Sequence, residues 1–328
     1  MRRFWTALAL AGLGATTACT SPSAPAHAGG PSGRASAASS SAAARAPATP
    51  TARTRPGASR AASAIPAPPP PPPAPRVTVT RTRTADGSVV TVAVIQGHVT
   101  YVLHNGSQDP GLAAGRVRAG PVVAGAERTR LLAAFNGGFK LSAGVGGYEQ
   151  EGHLVSPLRP GLASLVIDRS GQARIGVWGH GVPAPGEAVY SVRQNLPPLV
   201  MNGRPTAAAA DSGLWGATLG GGEYVARSAL GQNASGDLLY AASMSATPAD
   251  LALALARDGA RIAMELDINP EWVQLDIASH PGGPLRAAVR GQFRPADQFL
   301  AGWTRDFIAV LVPPAPPAPV PLPHRPPP

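Results

Sequence analysis

The chain has 328 residues and a formal net charge of +10, a basic balance that would suit a nucleic-acid-binding protein. The charge is unevenly placed, because residues 77–312 hold all 18 acidic residues and 19 of the 28 basic ones, a net charge of +1. The surplus arginines lie in segments without acidic residues, and residues 20–76 have no aromatic side chain to stack on bases. The composition therefore predicts no nucleic-acid partner.

Residues 1–19 have the pattern of a secretory signal peptide: two arginines, an apolar run from Phe4 to Ala15, and then small residues. Thr16-Thr17-Ala18-Cys19 resembles a bacterial lipobox, in which the cysteine is lipidated, although a lipobox prefers Leu where Thr16 stands. Cys19 is the only cysteine, which fits a modified residue. The alternative is ordinary cleavage after Ala26-His27-Ala28. We expect an exported protein, anchored to the outer face of the membrane through Cys19 or, in the alternative, secreted.

Both ends of the exported chain have compositions that predict disorder. Residues 20–76 are almost entirely Ala, Pro, Ser, Thr, Gly and Arg, and residues 313–328 are dominated by proline. We expect the first segment to be a tether and the second a disordered tail. Residues 77–312 suffice for one sizeable domain with a single core.

Strand patterns dominate this domain from its start. Alternating Val and Thr in RVTVTRTRTADGSVVTVAV, with Asp86-Gly87 between the two runs, predict a hairpin. Asn202-Gly203 predicts another hairpin turn. Further strands are expected in LLAAFNGGFK, ASLVIDRSGQARIGVW, YVARSALG and DLLYAASMS.

One helix is predicted with signals at both ends, in TPADLALALARDGA. Thr247 suits the N-cap, Pro248 suits the first helical position, and Asp250 completes a capping box. Gly259 is suited to ending the helix.

The same helix joins two expected strands, 237–244 and 261–268, so it predicts a crossover between parallel strands. The sequence as a whole predicts an α+β domain, rich in strands, with a mixed sheet and few helices.

Common catalytic signatures are missing from the sequence. It contains no G-x-S-x-G, no P-loop, no H-E-x-x-H, and no cysteine within the domain. Glu149, Glu151 and His153 alternate as residues on one strand face would, which indicates a cation site or an exposed polar face. We expect neither a metal nor a cofactor.

Several segments, taken in order, resemble a known family. Asn136-Gly137-Gly138-Phe139 is similar to a family turn NGGFF, and ARIAMELD is similar to a family strand that ends in NLDGGGSS. The stretches between them are GYEQEGHLVSP, PPLVMNGRP and VARSALGQNASGDLLYAA, which resemble G-x-x-x-x-G-x-x-x-x-P, GGPLLVRDGK and PRTAIGxxxDGRLLLVV. Together they cover nearly all of 77–312 and resemble the phosphodiester glycosidase domain family.

The resemblance implies an exported hydrolase that cleaves a sugar phosphodiester in a glycan or cell-envelope polymer. Such a substrate is an anion with a good leaving group, so the site needs a cationic cradle more than a strong acid. Arg227 is the expected phosphate ligand, with backbone donors of the Asn136 turn, at Gly137 and Gly138, as an oxyanion cradle. Lys140, the only lysine, contacts phosphate or is a solvated surface residue.

The acidic stretch AMELDINPEW supplies the expected carboxylates. Asp267 would stabilise positive charge on the sugar or activate water, with Glu265 as its partner on the same strand face. The alternative is structural, namely that Glu265 and Asp267 pair with arginines such as Arg227 or Arg261. For Asn136 the alternative is ordinary turn chemistry.

The sequence departs from the family directly after Asp267. Where the family has Gly-Gly-Gly-Ser, this chain has Ile268-Asn269-Pro270-Glu271, and Pro270 removes one backbone donor. Ser243-Met244-Ser245 likewise replaces the family's Asp-Gly-Arg. Asn269 and Glu271 are the expected substrate contacts in place of the glycines. Two hypotheses remain, a hydrolase and a non-catalytic envelope glycan-binding module with the same fold.

Overall fold

The computed structural model describes residues 74–216 and 222–314, except the side chains of Leu112 and Ala114. The signal peptide, Cys19, most of the tether and most of the C-terminal tail lie outside the described residues, so the predictions for them stay predictions. None of the helices described is long and apolar enough to span a membrane.

The described residues form eighteen strands, three α-helices and four short 3-10 helices. The strands are β1 (Arg76–Arg83), β2 (Val89–Gln96), β3 (Thr100–His104), β4 (Leu131–Asn136), β5 (Tyr148–Gln150), β6 (His153–Ser156), β7 (Ala163–Ile167), β8 (Ala173–Trp178), β9 (Gly181–Val182), β10 (Ser191–Gln194), β11 (Val200–Met201), β12 (Arg204–Pro205), β13 (Val225–Asn233), β14 (Leu238–Ala246), β15 (Ala260–Glu265), β16 (Leu275–Ala278), β17 (Leu285–Ala287) and β18 (Phe307–Leu311). The α-helices are α1 (Gly125–Arg128), α2 (Pro248–Arg257) and α3 (Gln298–Ala301). The 3-10 helices are Gly111–Ala114, Leu141–Ala143, Ala207–Ala210 and Ser212–Leu214.

These strands make three sheets rather than the one mixed sheet that we expected. The orders are β1-β2-β14-β13-β15-β11-β12, β6-β5-β10-β7-β8-β9 and β17-β16-β4-β18-β3. Neighbouring strands are antiparallel throughout the first and third sheets, and in the second sheet β8 and β9 are parallel. The strand-rich character with few helices is as predicted.

The main hydrophobic core receives side chains from all three sheets. Phe135 of β4, Leu165 of β7 and Leu230 of β13 belong to the same buried cluster. The sheet that contains β14 packs against a hydrophobic cluster on each of its faces, because the side chains of a strand alternate between the two faces. Tyr240 enters the main core, while Leu239 enters a second cluster under α2.

The helix α2 forms as the sequence predicts. Thr247 Oγ1 accepts a hydrogen bond from Asp250 N at 3.1 Å, and Asp250 Oδ2 accepts one from Thr247 N at 2.9 Å, which completes the capping box. Gly259, just beyond the helix, has φ +98°. α2 connects β14 to β15, which run in the same direction because both are antiparallel to β13. The predicted crossover is therefore present, with β13 between its two strands.

Two predicted hairpin turns are confirmed and one predicted strand is wrong. β1 pairs with β2 around Asp86-Gly87, and Asn202-Gly203 joins β11 to β12 with φ values of 52° and 77°. Glu149, Glu151 and His153 do not share one strand face, because the chain turns at Glu151, where φ is 52°. The Glu151 carboxylate instead accepts hydrogen bonds from the backbone N–H groups of Arg118 and Ala119, at 3.0–3.1 Å.

Candidate active site

A cleft of about 680 Å³ opens where strands of two sheets end. Its lining comes from the turn after β4, the first residues of β13, the segment after β15 and the segment before β18. The volume lies within the range of about 300–1,000 Å³ found for ligand pockets. The polar and aromatic side chains that line it are Phe139, Lys140, Asp267, Asn269, Trp272 and Arg305.

Asp267 is the carboxylate of this cleft. It follows the end of β15, where Ser228 N donates to Asp267 O at 2.8 Å and so continues the pairing with β13. Its Oδ1 accepts hydrogen bonds from the backbone N–H groups of Ile268 and Asn269, at 2.8 and 2.9 Å. Burial raises the pKa of Asp267 to about 6, while Arg305 and these backbone donors act in the opposite direction. At neutral pH the group is an ionised carboxylate.

Arg305 is the buried cation beside it. Its Nη2 donates to Asp267 Oδ2 at 3.3 Å and to Gly138 O at 2.8 Å. Its Nε lies 3.2 Å from Asp109 Oδ2, and the guanidinium carbon lies 5.2 Å from the centre of the Trp272 ring. The sequence alone does not single out Arg305 as a site residue. The signal that could have found it is the charged pair Arg305-Asp306 directly before the apolar strand β18.

The segment directly after Asp267, residues 268–272, builds one wall of the cleft. Asn269 lines the cleft, and its Oδ1 accepts a hydrogen bond from Glu271 N at 2.9 Å. Asn269 O accepts one from Trp272 N at 2.8 Å, which closes a tight turn. Pro270 and Trp272 also line the cleft, whereas Glu271 does not line it and pairs with Arg294. The structure therefore brings Asn269, but not Glu271, to the site.

Lys140 lines the cleft as the residue after the glycine turn, and its side chain is exposed. The next backbone N–H, of Leu141, donates to both carboxylate oxygens of Asp109 at 3.3 Å. Asp109 thus connects the segment that carries Lys140 to Arg305.

Glu265 and Arg227 form a buried ion pair outside the lining of the cleft. Arg227 Nη1 lies 2.8 Å from Glu265 Oε1, and their side chains are 1% and 0% exposed. Arg227 also donates to the backbone oxygens of Ala246 and Trp215, at 3.1 and 3.2 Å. Burial raises the pKa of Glu265 above its usual range, and Arg227 acts in the opposite direction. This pairing is the structural alternative considered for these residues.

Asn136 is a buried junction between strands rather than part of the lining. Its Nδ2 donates to Gly137 O at 2.8 Å and to Ser228 Oγ at 2.9 Å. Its Oδ1 accepts hydrogen bonds from Tyr240 Oη at 2.7 Å and from Gln274 N at 3.2 Å. The Asn136 amide therefore joins the end of β4 to β13, to β14 and to the segment before β16.

Gly137 and Gly138 are glycines because two ionic side chains pack against them. A Cβ on Gly137 would lie 1.9 Å from Asp306 Oδ2, and one on Gly138 would lie 3.0 Å from the Arg193 guanidinium. Gly137 N donates to Asp306 O at 2.9 Å, so this donor serves the fold. Arg193 and Asp306 form a second buried pair, with Nε and Oδ2 2.8 Å apart, which sequence analysis also missed.

The described residues contain no group of three or more His, Cys, Asp and Glu side chains placed to hold a metal ion.

No protein-family model matches the sequence, and no curated protein matches it. The zebrafish N-acetylglucosamine-1-phosphodiester alpha-N-acetylglucosaminidase catalytic domain, auto-inhibited by its pro-peptide, has a similar structure. Its identity is 16% and its TM-score 0.48, over 73% of this chain and 83% of that one.

A hypothetical protein from Synechocystis gives 15% identity and a TM-score of 0.42, over 74% of this chain and 64% of its own. A protein from Burkholderia pseudomallei K96243 gives 15% identity and a TM-score of 0.26, over 72% of this chain and 58% of its own. Identities this low with TM-scores below 0.5 concern the fold alone, so the functional argument rests on the cleft.

Proposed function

We propose that the chain is an exported hydrolase that cleaves the bond between a sugar and a phosphodiester group. The observation that carries this proposal is the contact between Asp267 Oδ2 and Arg305 Nη2, 3.3 Å, in a cleft that Lys140 also lines. One carboxylate and two cations can serve the two charges of such a reaction, the positive sugar carbon and the negative phosphate.

In this proposal Asp267 acts on the sugar. As an ionised carboxylate it accepts a proton from the attacking water or stabilises positive charge at the sugar carbon. Its ionisation above a pH of about 6 is consistent with either role near neutral pH.

Lys140 and Arg305 take the phosphate, which leaves with the electron pair of the broken C–O bond. Arg305 suits this role because its planar guanidinium lines the cleft with its position fixed by Asp109 and Gly138. We assign the contact to these residues instead of Arg227, which pairs with Glu265 and does not line the cleft.

Glu265, Arg227, Asn136, Gly137 and Gly138 act as positioning residues in this proposal. They fix the ends of β4, β13 and β15, from which Asp267 and Lys140 extend. Asn269 is proposed to contact the sugar through its side-chain amide, and Trp272 through the face of its ring. The proposal includes neither a metal nor a cofactor.

The test is hydrolysis by the full chain of a panel of sugar-1-phosphodiesters, with the corresponding phosphate-free glycosides as substrate controls. We expect turnover of diesters only, and a loss of kcat of about 100-fold or more for Asp267→Asn. Lys140→Gln and Arg305→Gln should raise KM or lower kcat. The matched controls are Asp86→Asn and Arg286→Gln, exposed residues that do not line the cleft. Turnover unchanged in Asp267→Asn would refute the proposed role.

A non-catalytic glycan-binding module is the second candidate. It is favoured by the engagement of both Asp267 carboxylate oxygens, one by two backbone N–H groups and one by Arg305. This candidate predicts diester binding by calorimetry with no turnover of any member of the panel, and binding retained in Asp267→Asn.

The proposed location is the outer face of the membrane, through lipidated Cys19, with secretion as the alternative. Fractionation of cells that express the full chain tests this. Cys19→Ser should move the protein from the membrane fraction to the soluble exported fraction, and retention in the membrane would contradict the lipid anchor.

A further inference from the structure

The cleft has a large apolar side that the proposed reaction at the sugar and phosphate does not use. Beyond the charged residues its lining consists mainly of Phe139, Val145, Val225, Ala226, Met244 and Ile268. Sugar hydroxyls need hydrogen-bond partners when they are buried, and aliphatic side chains offer none. This side therefore suits a different part of the substrate.

Part of the apolar lining forms a continuous wall. A Cβ on Gly216 would lie 2.8 Å from Ile268 Cδ1 and 3.0 Å from Phe139 Cζ, so these two side chains meet at the same point of the cleft. Phe139 directly precedes Lys140, and Ile268 directly follows Asp267. The apolar wall thus begins beside the groups proposed to hold the phosphate and the sugar.

Two exposed apolar residues lie close in sequence to residues of the lining. Leu214 is 55% exposed and lies two residues before Gly216, and Tyr224 is 49% exposed and directly precedes Val225. Ser212 Oγ donates to Glu223 Oε1 at 3.2 Å, which holds these two chain segments together.

We propose that the phosphodiester joins the sugar to an apolar alcohol, an alkyl or isoprenoid chain, so that the substrate class is a lipid-linked sugar phosphate. This inference rests on the proposed function of the same cleft. The sugar lies toward Asp267, the phosphate contacts Arg305 and Lys140, and the alcohol lies along the wall of Phe139 and Ile268.

The reaction is a hydrolysis. A water oxygen forms a bond to the sugar carbon, the bond from that carbon to the phosphate oxygen breaks, and its electron pair leaves with the phosphate. The proton of the water passes to Asp267. The products are the free sugar and the phosphate monoester of the apolar alcohol.

The first test compares diesters of one sugar whose alcohols run from ethyl to dodecyl, and a dodecyl-length oligo(ethylene glycol) diester, all below their aggregation concentrations. We expect kcat/KM to rise up to about fourfold for each added CH2 until the wall is covered, and the glycol to behave like ethyl. Equal kcat/KM for the dodecyl and glycol diesters would overturn the inference.

A binding measurement separates this inference from the proposed function. By calorimetry with the full chain, dodecyl phosphate should bind about tenfold or more tightly than ethyl phosphate, whether or not any diester is hydrolysed. If no diester is hydrolysed but this binding preference is observed, the proposed hydrolase is refuted and the apolar site is supported. Equal affinities for dodecyl phosphate and ethyl phosphate would refute the apolar site.

Isosteric variants locate the preference in the cleft. Val145→Thr with Val225→Thr should reduce the ratio of dodecyl to ethyl phosphate affinity about tenfold, because each adds a hydroxyl to the apolar lining. Val122→Thr is the matched control, a valine that is 36% exposed and does not line the cleft. A ratio that is the same in the double variant and the control would place the apolar alcohol elsewhere.

Discussion

Arg305 Nη2 donates a hydrogen bond of 3.3 Å to Asp267 Oδ2, so the buried cation and the buried carboxylate of the cleft stabilise each other's charge. The side chains are 5% and 6% exposed. Removing either partner leaves the other as an uncompensated buried charge, which usually costs about 3–5 kcal/mol. The contact thus couples the ionisation of the proposed catalytic carboxylate to the proposed phosphate ligand.

The first prediction is the pH dependence of hydrolysis. Since burial raises the pKa of Asp267 to about 6, kcat/KM should fall about tenfold per pH unit well below pH 6 and level off above it. The measurement is kcat/KM of the full chain between pH 4.5 and 8 with one diester. A rate that does not change between pH 4.5 and 7 would be incompatible with an ionised Asp267 in the reaction.

The second prediction concerns Asp109, which shares the Arg305 guanidinium with Asp267. In Asp109→Asn the positive charge acts on Asp267 alone, which lowers the pKa of Asp267 and moves the acidic limb of the rate profile to lower pH. The profile should shift by less than about two pH units, whereas Asp86→Asn should leave it in place. A limb that stays near pH 6 in Asp109→Asn would show that the two carboxylates do not compete for Arg305.

Local signals account for the parts of the fold that sequence predicted correctly. The capping box at Thr247 and the turns at Asp86-Gly87 and Asn202-Gly203 depend on neighbouring residues, so they can be recognised without knowing the fold. Glu151 is a contrast, because its carboxylate accepts hydrogen bonds from the distant backbone N–H groups of Arg118 and Ala119, which no local pattern indicates.

Only part of the candidate site could be predicted from the sequence, for the same physical reason. Asp267 and the turn after it lie in one contiguous stretch, and its charges inside an apolar run are conspicuous. Arg305 reaches the cleft from a loop 38 residues further along, and its partners are set by tertiary packing. The buried Arg193–Asp306 pair spans 113 residues, and no local pattern encodes such a contact.

The third prediction tests Asn136 as a structural junction. Asn136→Ala should lower the free energy of unfolding by about 2–5 kcal/mol, because it removes four hydrogen bonds and leaves buried partners unsatisfied. Tyr240→Phe removes one of these bonds and should cost about 1 kcal/mol. Urea unfolding of the two variants measures this. Equal losses would mean that the amide does not act as a junction.

The fourth prediction is that the turn after β4 does not tolerate a side chain at Gly137. Gly137→Ala should destabilise the fold by more than about 3 kcal/mol, because the new Cβ would overlap Asp306 and disturb its pair with Arg193. Gly120→Ala is the control, since the nearest atom to its Cβ is 4.0 Å away, and should cost about 1 kcal/mol or less. Thermal and urea unfolding compare them. Equal stability of the two variants would contradict the packing that we describe.

The last prediction is a pH dependence of stability that originates away from the cleft, at Asp276 of β16. Burial raises the pKa of Asp276 to about 7, while the side-chain amides of Gln292 and Gln274 act in the opposite direction and Asp297 adds to the rise. Between a pH of about 4 and about 7 the folded state therefore holds a proton that the unfolded state has released. The stabilising contribution is fully present below pH 4 and is lost as the pH rises through 7.

Urea unfolding at each pH unit from 4 to 8 measures this contribution as a slope. The free energy of unfolding should fall less steeply with pH in Asp276→Asn than in the unchanged chain, by up to about 1.4 kcal/mol per unit. The slope is the appropriate readout, because the asparagine amide also faces the Gln292 and Gln274 donors and lowers stability at every pH. Asp86→Asn should retain the slope of the unchanged chain above pH 4, since Asp86 is exposed. Parallel curves for the unchanged chain and Asp276→Asn would mean that Asp276 is ionised in the folded state throughout this range.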